Sequence, residues 1–503
     1  MEFGFRWIAA IFIWVPAKMR MRPPVAMAAC IALLHAGPML AAPAETPKPI
    51  ELGLVRTIKV PGAPARFTLK DRLAHYRVPG ISVAVIENCR IVDARGFGIT
   101  GVNGLPVGPD TLFQAGSISK TVTAVGALKL VDQGKLGLDT DVRVQLHNWN
   151  ASNGARPSES PVTLRGLLGH TAGTGVAGMN GYSPGAPLPN LEQILNGLPP
   201  ANTDAIRIEA APGTKWKYSG GGYVVAQALM VGKSKQTFPQ LMKRLVLDPA
   251  GMTNSSFQQP MDSARMAHAA AGVGPDGAPQ PGNWLIYPEM AAAGLWTTPG
   301  DLAVFAVALA RAVRGEDFSL LSREAASQMM TRGPGNWGLG VDLGKPDQPR
   351  QFSHTGHTTG YQSMLIMYPD TCQGAAVMTN ADEGAWLVQE VMRSIAQAYA
   401  WPGQKPRAVQ RAIPLTEDVS RRFVGKYRLK DFPSERFTIS RKPDGGLYWA
   451  RDGHIGRDLL PATDTRLFSP DSEMSLSVAS ASAQATTLQL SFGGGNNVAE
   501  RIE

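Results

Sequence analysis

The chain has 503 residues, 44% of them hydrophobic and 18% charged, with a formal net charge of +9. That balance excludes an intrinsically disordered protein, and the length predicts two or three domains rather than one ordinary core. The lysines and arginines are scattered and form no dense basic block, which argues against a nucleic-acid partner and for a solvated basic surface.

The N-terminus reads as an export signal over residues 1–44. Arg22 precedes an apolar run, Val25 to Leu34, which continues to a small-x-small pattern, Ala42-Pro43-Ala44. His35, Gly37 and Pro38 break the run before it reaches the length of a membrane span, so no stable span is expected after cleavage. These residues carry Arg6, Lys18, Arg20 and Arg22 against Glu2, a net +3, so their removal leaves +6. The expected location is exported, either periplasmic or secreted. Cys30 would leave with the signal, and Cys89 and Cys372 remain. In an oxidising compartment two such cysteines invite one disulfide, two unrelated buried thiols being the alternative.

Further along, Ile81–Ile86 and Ile91–Arg95 are β-branched runs around the turn Glu87-Asn88-Cys89-Arg90, a hairpin. A helix over Thr121–Gly134 follows Ser117-Ile118-Ser119-Lys120. The middle of the chain is mostly helical, with Gly/Pro-rich loops at Asn180–Pro200 and Gly272–Gly282. Strands return at Tyr361–Tyr368 and Gly374–Thr379 around Pro369-Asp370-Thr371-Cys372, and a helix over Glu383–Tyr399 closes that part. The simplest architecture is α+β: an antiparallel sheet built from both ends, flanked by helices, with an inserted helical domain and the site in the cleft between them. The expected domain spans 45–400, its sheet part about 60–105 and 290–400 and its helical part about 106–289. A Pro/Gly linker over 401–414 and a small all-β domain over 415–503 follow, with strands at Phe437–Ser440, Leu447–Ala450, Ser475–Ala479, Leu488–Phe492 and Val498–Ile502.

Ser117 and Lys120 stand three apart at a helix start, so they share one face, and the amine can take the hydroxyl proton. The helix end also favours developing negative charge. Several other patterns carry less. Gly181-Tyr182-Ser183-Pro184-Gly185 matches a nucleophile elbow but lacks the flanking strand and helix. Gly96–Gly101 and Gly272–Gly277 match a dinucleotide fingerprint but open no helix. His354 and His357 have a metal-like spacing without an acidic partner, so no metal and no organic cofactor are expected.

Four stretches occur in order: Phe113–Lys120 with its Ser-x-x-Lys, Leu167–Gly173 with His170, Pro212–Ser219 with Tyr218, and His354-Thr355-Gly356; Ala293–Leu302 adds a fifth. Together they resemble the class C β-lactamase-related serine hydrolases: β-lactamases, penicillin-binding DD-peptidases, D-aminopeptidases and esterases of one fold. The resemblance spans about Leu69 to Tyr399, and the C-terminal part is similar to small β-domains appended to such hydrolases. It implies a β-lactamase/DD-peptidase-like fold with Ser117 as acylated nucleophile, and Lys120 and Tyr218 as general base and acid. It implies an oxyanion hole from the backbone N–H groups of Ser117 and His357, with His354, Thr355, Gly356 and His357 lining the opposite wall, while His170 is assigned to structure. A cation nearby is expected to lower the pKa of the lysine or phenol. The fold analogy also sets the first hairpin strand beside the last sheet strand, which implies a Cys89–Cys372 disulfide. Two positions depart from the lactamase pattern: His354 stands where lysine is usual and Gly220 where asparagine is usual. Both favour ester or amide cleavage over true β-lactamase activity. A D-amino-acid-specific cell-wall peptidase and a slowly acylated penicillin-binding sensor are the alternatives, and a small ester, amide or peptide is the expected substrate.

Overall fold

The computed structural model describes residues 49–503, apart from 102–103, 153–159, 480–484 and 493–494. The expected export signal lies outside the described residues. Helix α1 (Leu69–His75) is capped by the Thr68 side chain and leads into the hairpin β1 (Gly80–Glu87) and β2 (Arg90–Gly98). Helices α2 (Ile118–Asp132) and α3 (Gly220–Ser234) belong to the middle of the chain, and α4 (Pro299–Arg314) returns it to the sheet. Strands β3 (Phe352–Thr358), β4 (Tyr361–Tyr368) and β5 (Gln373–Thr379) follow, and then α5 (Gly384–Ala398).

The five strands form one antiparallel sheet in the order β2-β1-β5-β4-β3, so the last strand in chain order pairs with the first. β1 and β5 are buried along nearly their whole lengths because both faces of the sheet are covered. Alternate side chains enter two different cores. Ala84, Ile86, Ala376 and Met378 join the large core shared with α2, α3 and α4. Val83, Val85, Ala375 and Val377 join a second core with α1 and α5.

Pairing of β1 with β5 brings the β1–β2 turn to the β4–β5 turn. Cys89 and Cys372 have Cα atoms 5.0 Å apart and are joined by a disulfide, and the Cys89 amide donates to the Cys372 carbonyl.

The expected all-β domain is a closed barrel, entered through α6 (Glu417–Phe423). Its strands among the described residues are β6 (Gly425–Leu429), β7 (Arg436–Arg441), β8 (Leu447–Arg451), β9 (Arg457–Thr463), β10 (Arg466–Phe468), β11 (Ser475–Ser477), β12 (Thr487–Phe492) and β13 (Gly495–Arg501). Three of them, β6, β9 and β10, escape the sequence reading. β6 and β10 are short and charged, and β9 contains Pro461, which sits at a register shift against β10 where a ladder donor is dispensable.

The stretch 401–414, expected as a linker, lies along the hydrolase body: Trp401 is buried against Tyr368, and Lys59 bridges to Val409. Buried ion pairs seat the barrel. Arg72 of α1 bonds Glu390 of α5 and Asp471 of the barrel at 2.8 Å each. Glu383 accepts from His454 at 2.8 Å and faces Arg457 at 3.4 Å.

Candidate active site

Ser117 is the N-cap residue of α2, yet its side chain makes no capping bond, which leaves Oγ free for chemistry. One turn on, the Lys120 amine donates to Ser117 Oγ at 3.0 Å and to the Ala292 carbonyl at 2.8 Å. Lys120 is 2% exposed and has no carboxylate partner among the described residues. Burial disfavours its charged form and brings its pKa down to about 7. The amine lies 5.1 Å from the Tyr218 ring centroid and 5.7 Å from that of Tyr223.

Burial pushes the Tyr218 phenol up to about 12, and the neighbouring Ser117 side chain offsets this only in part. The cation-lowered phenol expected from the sequence is therefore corrected: desolvation sets both pKa values, lowering the amine and raising the phenol. Tyr218 is held by its neighbours. Lys217 N–H donates to the His170 carbonyl, Ser219 N–H donates to His170 Nδ1 at 3.1 Å, and Ser219 Oγ caps α3 by accepting from Gly222 N–H. The buried His170 ring packs 4.4 Å from the Tyr218 ring, and desolvation keeps it well below the usual imidazole range, hence neutral.

The edge strand β3 supplies the other wall. A Cβ on Gly116 would fall 2.6 Å from the His357 nitrogen, and one on Gly356 only 1.9 Å from the Ala115 carbonyl oxygen. Two glycines thus let the turn at Ala115 and Gly116, immediately before Ser117, lie directly against the backbone of Gly356 and His357 in β3. Side chains alternate along the strand. His354 and Gly356 are buried, whereas Thr355 and His357 are exposed on the other face. The four residues expected to line one wall therefore do so through the strand's backbone and His354 rather than through all their side chains. His354 packs against Trp337, 5.4 Å between centroids, and burial drives its pKa down to about 3, so it carries no charge. His357 Nε2 meets Asp382 Oδ1 at 3.2 Å, and the same oxygen accepts from Gly360 N–H.

Among the described residues no group of three His, Cys, Asp or Glu converges on a metal-sized site. The rejected elbow is a loop, with Gly181 at φ +72° and Tyr182 bridged to Ile286. At Gly220 a Cβ would come within 2.9 Å of the Ala177 oxygen and the Met179 methyl, so the neighbouring loop fills the space an asparagine would need. Sequence reasoning missed the Ala292 carbonyl, because a backbone acceptor has no side-chain signature. It also missed Trp337 and Asp382, which reach the site only through tertiary packing.

Residues 66–400 match the family model described as Beta-lactamase. The chain belongs to the β-lactamase family. It is 25% identical over 392 residues to penicillin-binding protein 4* of Bacillus subtilis, a match covering 72% of this chain and 81% of that protein. Among solved structures it is similar to the octameric penicillin-binding protein homologue from Pyrococcus abyssi, with TM-score 0.55, 22% identity, and 86% of this chain and 98% of the other covered. The D-amino acid amidase from Ochrobactrum anthropi SV3 aligns with TM-score 0.55 and 19% identity, covering 66% of this chain and 96% of the other. These last two likenesses concern the fold. Membership of the β-lactamase family makes the protein a serine hydrolase, and Ser117, Lys120 and Tyr218 all lie within the matched residues.

Proposed function

We propose that the protein is an exported serine hydrolase that cleaves small esters or amides through a Ser117 acyl-enzyme. The observation that carries this reading is the hydrogen bond of the Lys120 amine to Ser117 Oγ at 3.0 Å, with the Tyr218 ring 5.1 Å from that amine and its phenol acting on Ser117. With a pKa near 7 a large share of Lys120 is neutral at physiological pH and able to accept the serine proton. Tyr218 stays protonated and is suited to pass a proton to the leaving group. Ser117 Oγ attacks the substrate carbonyl while its proton moves to Lys120. The resulting oxyanion is held by the Ser117 and His357 amides, and the C–O or C–N bond breaks as the leaving group takes a proton by way of Tyr218. Water then attacks the acyl-enzyme by the reverse proton path and restores Ser117.

Two features favour esters and simple amides over β-lactams. His354 is neutral and buried, so it offers no fixed charge for a substrate carboxylate, and Gly220 offers no side-chain amide. The amidase named above supports D-amino acid derivatives as one candidate class. Export rests on the 1–44 pattern and agrees with a disulfide, which persists in oxidising compartments.

The test is turnover of 4-nitrophenyl acetate by purified protein. Multiple turnovers that vanish in Ser117→Ala, with an acyl adduct on Ser117 by mass spectrometry, support the reading. Turnover surviving Ser117→Ala overturns it, and a stoichiometric adduct without turnover would make the protein an acylated sensor instead.

A further inference from the structure

Cations that are scattered along the sequence gather at one place in the fold. The segment 54–66 crosses the stretch 402–411 where the barrel meets the hydrolase body. Lys59 N–H donates to the Ala408 carbonyl, Gln410 N–H to the Lys59 carbonyl, and Ile58 N–H to the Pro470 carbonyl of the barrel. A turn then folds the segment back, Ala63 N–H donating to the Val60 carbonyl with Gly62 at φ +87°. The crossing encloses a cavity of about 80 Å³, lined by Arg56, Lys59 and Arg407 together with Val60, Gly62 and Pro64.

These cations are not neutralised alike. Arg56 is spent on Asp458 at 2.6 Å and Asp471 at 2.9 Å. Lys59, Arg407 and the neighbouring Arg66 have no carboxylate partner among the described residues. Arg66 and Arg407 each donate one guanidinium nitrogen to a backbone carbonyl, those of Gly53 and Arg56, and keep the other donors of the fork free. Arg407 is partly buried, and the charge acting on it is Arg66; burial and that repulsion hold its pKa below the ordinary guanidinium range. Like charges held together with no acid between them carry a cost that a bound anion removes.

The size of the cavity and its donors define the ligand. It is far smaller than the roughly 300–1,000 Å³ of a pocket that encloses a whole small molecule, so it admits one compact group. A planar guanidinium fork matches the oxygens of a phosphate, and an ammonium adds a point charge. We propose that Arg407 and Lys59, backed by Arg66, bind a phosphate group, carried either by a soluble phosphate or by a phospholipid headgroup. The site lies across the sheet from Ser117. Leu54, at the start of the segment, packs in the second core with α1 and α5, whereas α2 packs in the first. Binding there is independent of the acyl-enzyme reading.

The experiment has two arms on the purified protein. One is titration calorimetry with sodium phosphate against sodium chloride of equal ionic strength. The other is co-sedimentation with phosphatidylcholine vesicles, with and without phosphatidylglycerol. Joint Lys59→Gln and Arg407→Gln substitution should weaken binding at least about tenfold, the loss expected for one charge-assisted hydrogen bond. Arg407→Lys, which keeps the charge and loses the fork, should give an intermediate loss. Lys59→Gln alone, at an exposed position, should weaken binding in the same direction with the fold untouched. A control without two exposed lysines of the helical part, Lys135→Gln with Lys233→Gln, should bind as the wild type does. Capture that needs phosphatidylglycerol and is lost in the Lys59 and Arg407 variants makes a headgroup the source. Calorimetric binding without capture makes it a soluble phosphate. No binding in either arm overturns the proposal, as does binding that the Lys59 and Arg407 variants leave unchanged or that the control weakens equally.

Discussion

Replacing Lys120 by methionine should damage catalysis while stabilising the fold. The side chain is buried, so methionine keeps the packing but removes an amine that protonates less readily when folded. A fall in pKa from 10.5 to about 7 corresponds to roughly 5 kcal/mol at about 1.4 kcal/mol per unit. The two hydrogen bonds to Ser117 and Ala292 return about 1 kcal/mol each. The variant should therefore be more stable near pH 7 by a few kcal/mol. The sign with pH follows from proton binding: between about 7 and 10.5 the unfolded chain holds this proton and the folded chain does not. Wild-type stability therefore rises with pH across that window relative to Lys120→Met. The gap should shrink by about 2 kcal/mol between about pH 7 and about pH 9, read by urea unfolding of both proteins. Ester kcat/KM of the wild type should rise through about pH 7, and the variant should lose about 10²- to 10⁴-fold. A stability gap that does not move with pH would refute the reasoning, because the amine would then not be desolvated.

Tyr218→Phe should lower kcat by about 10²-fold or more with a much smaller change in KM, and the wild-type pH profile should show no inflection from a phenol below about pH 10, because burial holds the group near 12. Gly116→Ala should abolish most ester turnover and destabilise the fold by about 1–3 kcal/mol, since φ is +52° and the new methyl collides with the His357 backbone; thermal unfolding and kinetics together check this. Arg72→Met should cost about 3–5 kcal/mol in urea unfolding by leaving buried Glu390 without its ion pair, while Asp471 keeps Arg56, with kcat/KM of the residual folded protein near the wild-type value.

Local pattern made much of the body legible. Tyr361–Tyr368 was read to the residue, and the β1–β2 hairpin and the α2 and α5 helices came within a few residues of their bounds, because each has a clear period or a turn on its flank. The barrel was harder. Its strands are short, and β9 carries a proline, so closure depends on neighbours no local window contains. The site divides the same way: Ser117 and Lys120 are readable as a pair because one helical turn joins them, whereas the Ala292 carbonyl that holds the amine and the Trp337 ring against His354 come from distant segments and appear only in the folded chain.

By itself the sequence set Ser117 and Lys120 on one helix face and located most of the sheet strands, since residue spacing and side-chain period are properties of the chain alone; Tyr218 and the pairing of the first with the last strand entered through the family resemblance. Only the tertiary structure decided which of these groups carry charge. Lys120, Tyr218 and His354 are all shifted by burial, and burial is created by segments far apart in the chain closing over one another.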